Sequence, residues 1–275
     1  DAAAAAACAA SLAENPLTGP GAGGVLIFRP AGGAPRLVDF FVQVPGLGEG
    51  GRHLDPDMLD SFVVPFGGAD QVFHIGRASV AVPGFLHGIA HAVEHYGRLS
   101  LAEVVEPACR LAREGVRLTE EIDFLYRILG GMLRFSPESE AIYAPEGRLL
   151  CAGDVLRLPD LAETFEYFAE HGSAAISTGR IGLAILEHLG DTGLLTETDL
   201  REIHAIERTP LHLTRSDYEV ITNAPPSAGG SLILAALSMI DPHEVDTDEG
   251  FYRAVTRGGV AANGLRDDAF IDSLR

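Results

Sequence analysis

The sequence predicts a mixed chain with few strands and many helices, and three observations carry that prediction. Apolar residues recur at helical spacing in several segments, most of which open on a Ser, Thr or Gly and close on a Gly. Short runs rich in Val, Ile, Leu and Phe lie between Gly- and Pro-rich stretches. With 275 residues, 47% of them hydrophobic, the chain can bury a substantial core in one large domain or two small ones.

Taken in order, Asp1–Ala10 is alanine-rich and runs on through Ser11, Leu12 and Ala13, a composition that favours helix and allows close packing. Asp1 is the candidate cap. Asn15 to Gly24 breaks the pattern, and Val25–Phe28 then reads as a buried strand. Arg36–Val44 is a second strand, with the glycines between Pro30 and Pro35 making a hairpin turn. Gly46–Gly68 reads as a long polar loop. Phe85, Leu86, Ile89, Ala90, Val93 and Tyr96 form a helical stripe stopped by Gly97. Ser100 and Glu103 have capping-box spacing for a helix that runs to Gly115, and Thr119 caps another over Glu120–Leu133. Further helices are expected at Leu161–Glu170, after Gly179, after a cap at Thr196–Asp199, and at Ser231–Ile240. Tyr218–Thr222 is a strand candidate. The final stretch from Asp267 shows no closing element. Together with the alanine-rich opening, this predicts that the chain is one part of a larger functional unit.

Composition excludes some partners. Lys+Arg 20 against Asp+Glu 39 gives a net charge of −19, which repels nucleic acid and anionic membrane surfaces. No apolar run approaches the ~20 residues needed to span a bilayer. Cys8, Cys109 and Cys151 are widely spaced and read as ordinary small apolar residues rather than a disulfide framework.

Three patterns invite chemistry. Gly19–Gly24 looks like a phosphate loop, but it follows a helix and precedes a strand, the reverse of the order that aims a helix N-terminus at phosphate. A tight turn where two layers approach closely is the better reading. His87, His91 and His95 share a helix face, yet the His-Glu-x-x-His order is missing, so surface or interface histidines are expected and no metal. No Gly-x-Ser-x-Gly elbow exists. Ser227, within Pro225-Pro226-Ser227-Ala228-Gly229-Gly230, is placed either to cap the following helix or to act chemically.

That last segment resembles the Pro-Pro-Ser-Ser-Gly-Gly turn of the gamma-glutamyltranspeptidases. Other segments match the same family in the same order. Asp1-Ala2-Ala3 is similar to the family's opening helix, and Pro16-Leu17-Thr18-Gly19-Pro20-Gly21-Ala22-Gly23-Gly24 to its Pro-x-x-Ser-Gly-x-Gly-Gly-Gly turn. Val82-Pro83-Gly84, Tyr96-Gly97-Arg98-Leu99, Glu106-Pro107-Ala108, Leu111-Ala112-Arg113-Glu114-Gly115, Leu195-Thr196 with Asp199-Leu200, and Arg208-Thr209-Pro210 follow. The resemblance implies an α+β fold, the four-layer αββα N-terminal-nucleophile hydrolase sandwich, completed by a second, small chain. Residues 1–275 would be the large chain of a heterodimer made when a zymogen cleaves itself, one domain being shared with the small chain. The nucleophile would be a threonine at the start of the small chain, its own α-amino group serving as base. The resemblance therefore implies no catalytic residue in this chain, no cofactor, no metal, a small-molecule amide substrate related to glutathione metabolism, and room for a dimer of heterodimers.

One departure bears on specificity. The family's large chain holds the substrate α-carboxylate with an arginine in an Asp-Phe-Arg-Glu-x-Ala-Pro strand, where this chain reads Asp39-Phe40-Phe41-Val42-Gln43-Val44-Pro45. Phe41 occupies the arginine's place and cannot make paired charge-assisted hydrogen bonds. Three explanations follow: an apolar acyl group, a substitute cation from elsewhere, or a catalytically silent homologue. Gln43, two residues on, would share the face of Phe41 on an extended strand and offer a neutral amide, so both are the expected substrate-binding residues.

Overall fold

The computed structural model describes residues 1–48, 54–215 and 218–274. Residues 49–53 of the expected Gly46–Gly68 loop, and Arg275, lie outside them. The chain divides into two compact units, Asp1–Gly24 with Phe40–Ala205, and Val25–Asp39 with Ile206–Arg275.

In the first unit the helices are α1 (Ala2–Ala13), α2 (Phe85–Tyr96), α3 (Leu101–Glu114), α4 (Glu120–Leu133), α5 (Pro137–Tyr143), α6 (Pro159–His171), α7 (Ala174–Ser177), α8 (Arg180–Leu189) and α9 (Glu197–Glu202). Local signals set many of their starts. The Ser100 hydroxyl accepts from Glu103 N–H at 3.3 Å while the Glu103 carboxylate accepts from Ser100 N–H at 2.9 Å, and the Thr119 hydroxyl accepts from Ile122 N–H at 3.4 Å. α1 packs against α3 because its buried side chains, Ala4, Cys8 and Leu12, are small enough for close approach. α3 answers with Val104, Val105, Ala108 and Ala112, and its other neighbour α6 adds Ala162, Phe165 and Phe168. Each large side chain buried this way contributes roughly 1.5–3 kcal/mol. A second cluster gathers Leu118, Ile122, Tyr126, Leu133 and Leu156 around α4.

Asp1 departs from its expected role. Its carboxylate does not cap α1; it accepts from the backbone N–H groups of Arg98 at 3.0 Å and Leu99 at 3.3 Å, tying the chain start to the α2–α3 connection. The expected loop is also shorter, because β3 (Asp60–Pro65) pairs antiparallel with β4 (Asp70–Ile75) in the register Phe62↔Phe73 and Val63↔Val72. Val63 and Val72 are exposed although apolar, so the period-two alternation that betrays a strand is absent here. A two-residue pair, β5 (Val116–Arg117) with β6 (Val155–Leu156), completes this unit. Of the cysteines, Cys8 and Cys109 are buried as expected, but Cys151 is exposed and lies 3.3 Å from the Asp154 carboxylate.

In the second unit a three-stranded sheet has the order β1 (Gly24–Phe28), β2 (Arg36–Phe40), β7 (Ile206–Arg208), the end residues Gly24 and Phe40 being counted with the first unit. β2 and β7 run antiparallel, and Arg208 Nε donates to Asp39 Oδ2 at 2.7 Å across the pair. β8 (Leu211–Arg215) and β9 (Tyr218–Thr222) form a hairpin, followed by α10 (Ala228–Ser238), α11 (Asp248–Gly264) and α12 (Asp268–Ser273). Neither of the last two helices is expected from the sequence: α12 closes the stretch after Asp267, which reads as having no closing element, and the Asp267 carboxylate caps it by accepting from Phe270 N–H at 2.8 Å. α11 carries Gly250, Gly258 and Gly259, which disfavour helix locally. A Cβ on Gly258 would lie 2.7 Å from Ala236 O, so the α10–α11 packing itself demands glycine there.

Candidate functional site

The segment after β2 carries the two expected substrate-binding residues. β2 stops at Phe40 rather than at Val44, and beyond it Gln43 forms an isolated antiparallel bridge with Val82, N–H to O at 3.2 and 2.9 Å in the two directions. Phe41 is 62% exposed and Gln43 is exposed, with half-buried Val42 between them. Val44, next to Gln43, is exposed as well, so exposure does not assign Phe41 and Gln43 to one face.

Backbone crowding beneath Phe41 explains why the sequence is glycine-rich at two distant places. A Cβ on Gly23 would lie 2.5 Å from Val42 N, and one on Gly84 would lie 2.0 Å from Phe40 O. Ala22 O accepts from both Gly84 N–H (3.1 Å) and Phe85 N–H (2.9 Å), so the Gly19–Gly24 turn holds the first turn of α2. The close-approach reading of that turn is what the structure has.

Beyond Gln43 the segment is gripped by a residue that the sequence places in a cap and in a family motif but not in the site. Asp199 is 1% exposed. Its carboxylate accepts from Gly46 N–H and Leu47 N–H, both at 2.9 Å, and from Thr196 N–H at 2.8 Å and the Thr196 hydroxyl at 2.9 Å. Burial pushes this carboxyl up, but the four donors outweigh it and hold the group below the ordinary carboxylate value. Leu47 O lies 2.8 Å from Thr196 Oγ1 and shares that single hydroxyl proton with the carboxylate. Segment 41–47 is thus fixed between Val82 and Asp199, and it presents Phe41, Val44 and Leu47, 62, 87 and 48% exposed. The signal available in the sequence was the Leu195-Thr196…Asp199-Leu200 motif, whose acid is more than a helix start.

His91 and His95 stack at 4.2 Å, while His87 is 5% exposed, contrary to the expectation of a surface or interface position. Its Nε2 has no hydrogen-bond partner, and burial, aided by His204, lowers its pKa to about 4. No group of three or more potential metal-ligating side chains occurs among the described residues. Ser227 sits at the N-cap of α10 without a side-chain capping bond, so of its two readings the capping one has no hydrogen bond behind it.

The fold is that of an N-terminal-nucleophile hydrolase. Over 100% of its length the chain superposes on 84% of the chain in the crystal structure of Helicobacter pylori gamma-glutamyltranspeptidase, with a TM-score of 0.81 at 19% identity. The gamma-glutamyltranspeptidase family model matches residues 1–256, and the chain belongs to that family. It is 30% identical over 227 residues to the glutathione hydrolase proenzyme of Escherichia coli (strain K12), covering 80% of this chain and 37% of that protein. It is 29% identical over 246 residues to the acylase ACY 1 proenzyme of Pseudomonas sp. (strain SE83), covering 89% of this chain and 44% of that one. The chain therefore spans less than half the length of these curated relatives. At the family level the chemistry is that of amide hydrolases and transferases.

Proposed function

We propose that this chain is the large chain of an amide hydrolase or acyltransferase whose acyl specificity differs from the standard γ-glutamyl group. Its partner is a small chain from the same precursor, with threonine as first residue. In this reading the threonine hydroxyl attacks the substrate carbonyl, its proton passing to the threonine's α-amino group. The amine leaves with that proton, and water or a second amine then releases the acyl group. Two facts support a divided polypeptide: the relatives are named proenzymes, and the chain covers 84% of the Helicobacter chain but only 37% of the Escherichia proenzyme.

The observation that carries the specificity is Phe41. It stands where the family motif has arginine, and it is exposed on a segment pinned by Val82 and Asp199. Val44 and Leu47 are further exposed apolar residues of the same segment, and Gln43 carries a neutral amide within it. An apolar acyl group with no α-carboxylate fits that surface better than a γ-glutamyl group does. The acylase name of one relative is compatible with such a substrate.

The test is turnover of two anilides, one γ-glutamyl and one phenylacetyl, by the complete protein and its Phe41→Arg variant. We expect the phenylacetyl compound to be preferred. Phe41→Arg should raise kcat/KM for the γ-glutamyl anilide about 10–100-fold, the equivalent of a charge-assisted pair worth roughly 1.5–3 kcal/mol. No gain would mean that the pocket is rebuilt more widely. No turnover of either anilide, or a small chain lacking a nucleophilic first residue, would leave the catalytically silent homologue as the reading.

A further inference from the structure

We propose that the groove between α6 and α8 is a binding site for a short apolar peptide with both of its termini free. The groove has a volume of about 680 Å³, within the range of small-molecule sites. It exists because α6 and α8 each pack on the short helix α7 and touch each other little. α8 sits hard on α7, where a Cβ on Gly182 would lie 2.0 Å from Ile176 O. Gly182 and Leu189 are its buried residues, and Ile181, Ala184 and Ile185 are left to line the groove together with Val80.

Charges of both signs stand over this apolar floor. Asp160 and Glu163 come from α6, and Arg180 and His188 from α8; all four are exposed. Among the described residues none of the four makes an ion pair, so the two walls stand too far apart to neutralise each other. Glu138 acts on His188, and Arg113 on Glu163, through space. Arg180 is held in place by Tyr167: its guanidinium lies 4.1 Å from the ring centroid, and its N–H donates to the Tyr167 hydroxyl at 3.4 Å. This contact joins the start of α8 to the later part of α6, so the helices run in opposite directions and Asp160 faces the His188 end of the groove. From Arg180 to His188 is about 12 Å at 1.5 Å per residue, the length of three to four extended residues at about 3.3 Å each. A carboxylate at one end suits Arg180, whose planar fork takes it in paired charge-assisted hydrogen bonds. An ammonium at the other end suits Asp160, and apolar side chains suit Ile181 and Ile185. A purely apolar ligand would leave both walls desolvated and unpaired, and an ion of one sign would meet its own sign across the groove.

The experiment is a calorimetric titration of the complete protein with trileucine, N-acetyl-trileucine and trileucine amide. Trileucine should bind with a Kd of about 0.1 mM, and each blocked peptide about tenfold more weakly, the loss expected for one charge-assisted contact. Arg180→Ala should lower the affinity for trileucine to that of its amide while leaving the amide's own affinity unchanged, since the two changes remove the same contact. Ala184→Phe alters an exposed position and fills the groove without entering the core. It should abolish binding of all three peptides and leave the urea midpoint where it was. No binding heat at about 5 mM peptide would overturn the proposal. So would equal affinities for the three peptides, or an Arg180→Ala variant that still prefers the free carboxylate. Binding that survives Ala184→Phe would also overturn it, by assigning the peptide to a site elsewhere on the protein.

Discussion

The two units use their apolar residues to opposite effect. In the first, α1, α2, α3 and α6 bury a continuous set of side chains, among them Leu12, Leu86, Phe165 and Phe168, each at 1% exposure or less. In the second, the buried hydrophobics among the described residues are Leu37, Val38, Ala254 and Ala262, although α10 is the more apolar helix. Hydrophobic residues alone do not make a core. What matters is whether an opposing layer exists to exclude water from them. The first unit supplies its own layers, and the second exposes a face that calls for another.

That contrast can be broken most directly by truncating one large side chain in each unit. Phe165→Ala should destabilise the chain by about 4 kcal/mol, the range for a fully buried aromatic. Leu234→Ala in α10 should cost less than about 1 kcal/mol in this chain and more than twice that in the complete protein. Urea midpoints of both variants in both contexts measure this, and equal costs for Leu234→Ala in the two contexts would erase the distinction between the units.

A smaller effect sharpens what burial means in the first unit. His87 is held neutral in the fold, with a pKa of about 4 against an ordinary 6.5. Between those values the unfolded chain binds the proton and the folded chain does not. Stability should therefore fall by about 3 kcal/mol as the pH drops from 6.5 to 4, the change being absent above that window. His87→Leu should flatten that part of the stability profile, because it removes both the titration and the unpartnered Nε2.

The smallest of the three concerns the clamp on the candidate site. Asp199→Asn should cost about 2 kcal/mol, because an amide cannot accept from all four donors. It should also speed hydrogen exchange at Gly46 and Leu47 while leaving the second unit unchanged. Unaltered exchange at those two amides would remove Asp199 from the support of segment 41–47.

Much of this was legible along the chain, and the parts that were not share a cause. Side-chain caps act within four residues, so the starts of α3, α4 and α9 were readable from Ser100, Thr119 and Thr196. The family motifs were readable because their order along the chain survives. The hairpin β3–β4 escaped because its apolar residues face both sides. α11 escaped because its glycines serve the contact with α10 rather than its own propensity. At the site, Phe41 and Gln43 were named from the motif alone, but their support was not. The bridge to Val82 and the Asp199 carboxylate act across 39 and more than 150 positions of sequence.

Local chemistry written in neighbouring residues was enough to specify where many helices begin. Only folding could decide that Asp199 holds segment 41–47, that Asp1 ties down the α2–α3 connection, that His87 is buried, and that α10 is left uncovered. These depend on which distant surfaces meet and which do not, and no short-range pattern of residue types encodes the distance between them.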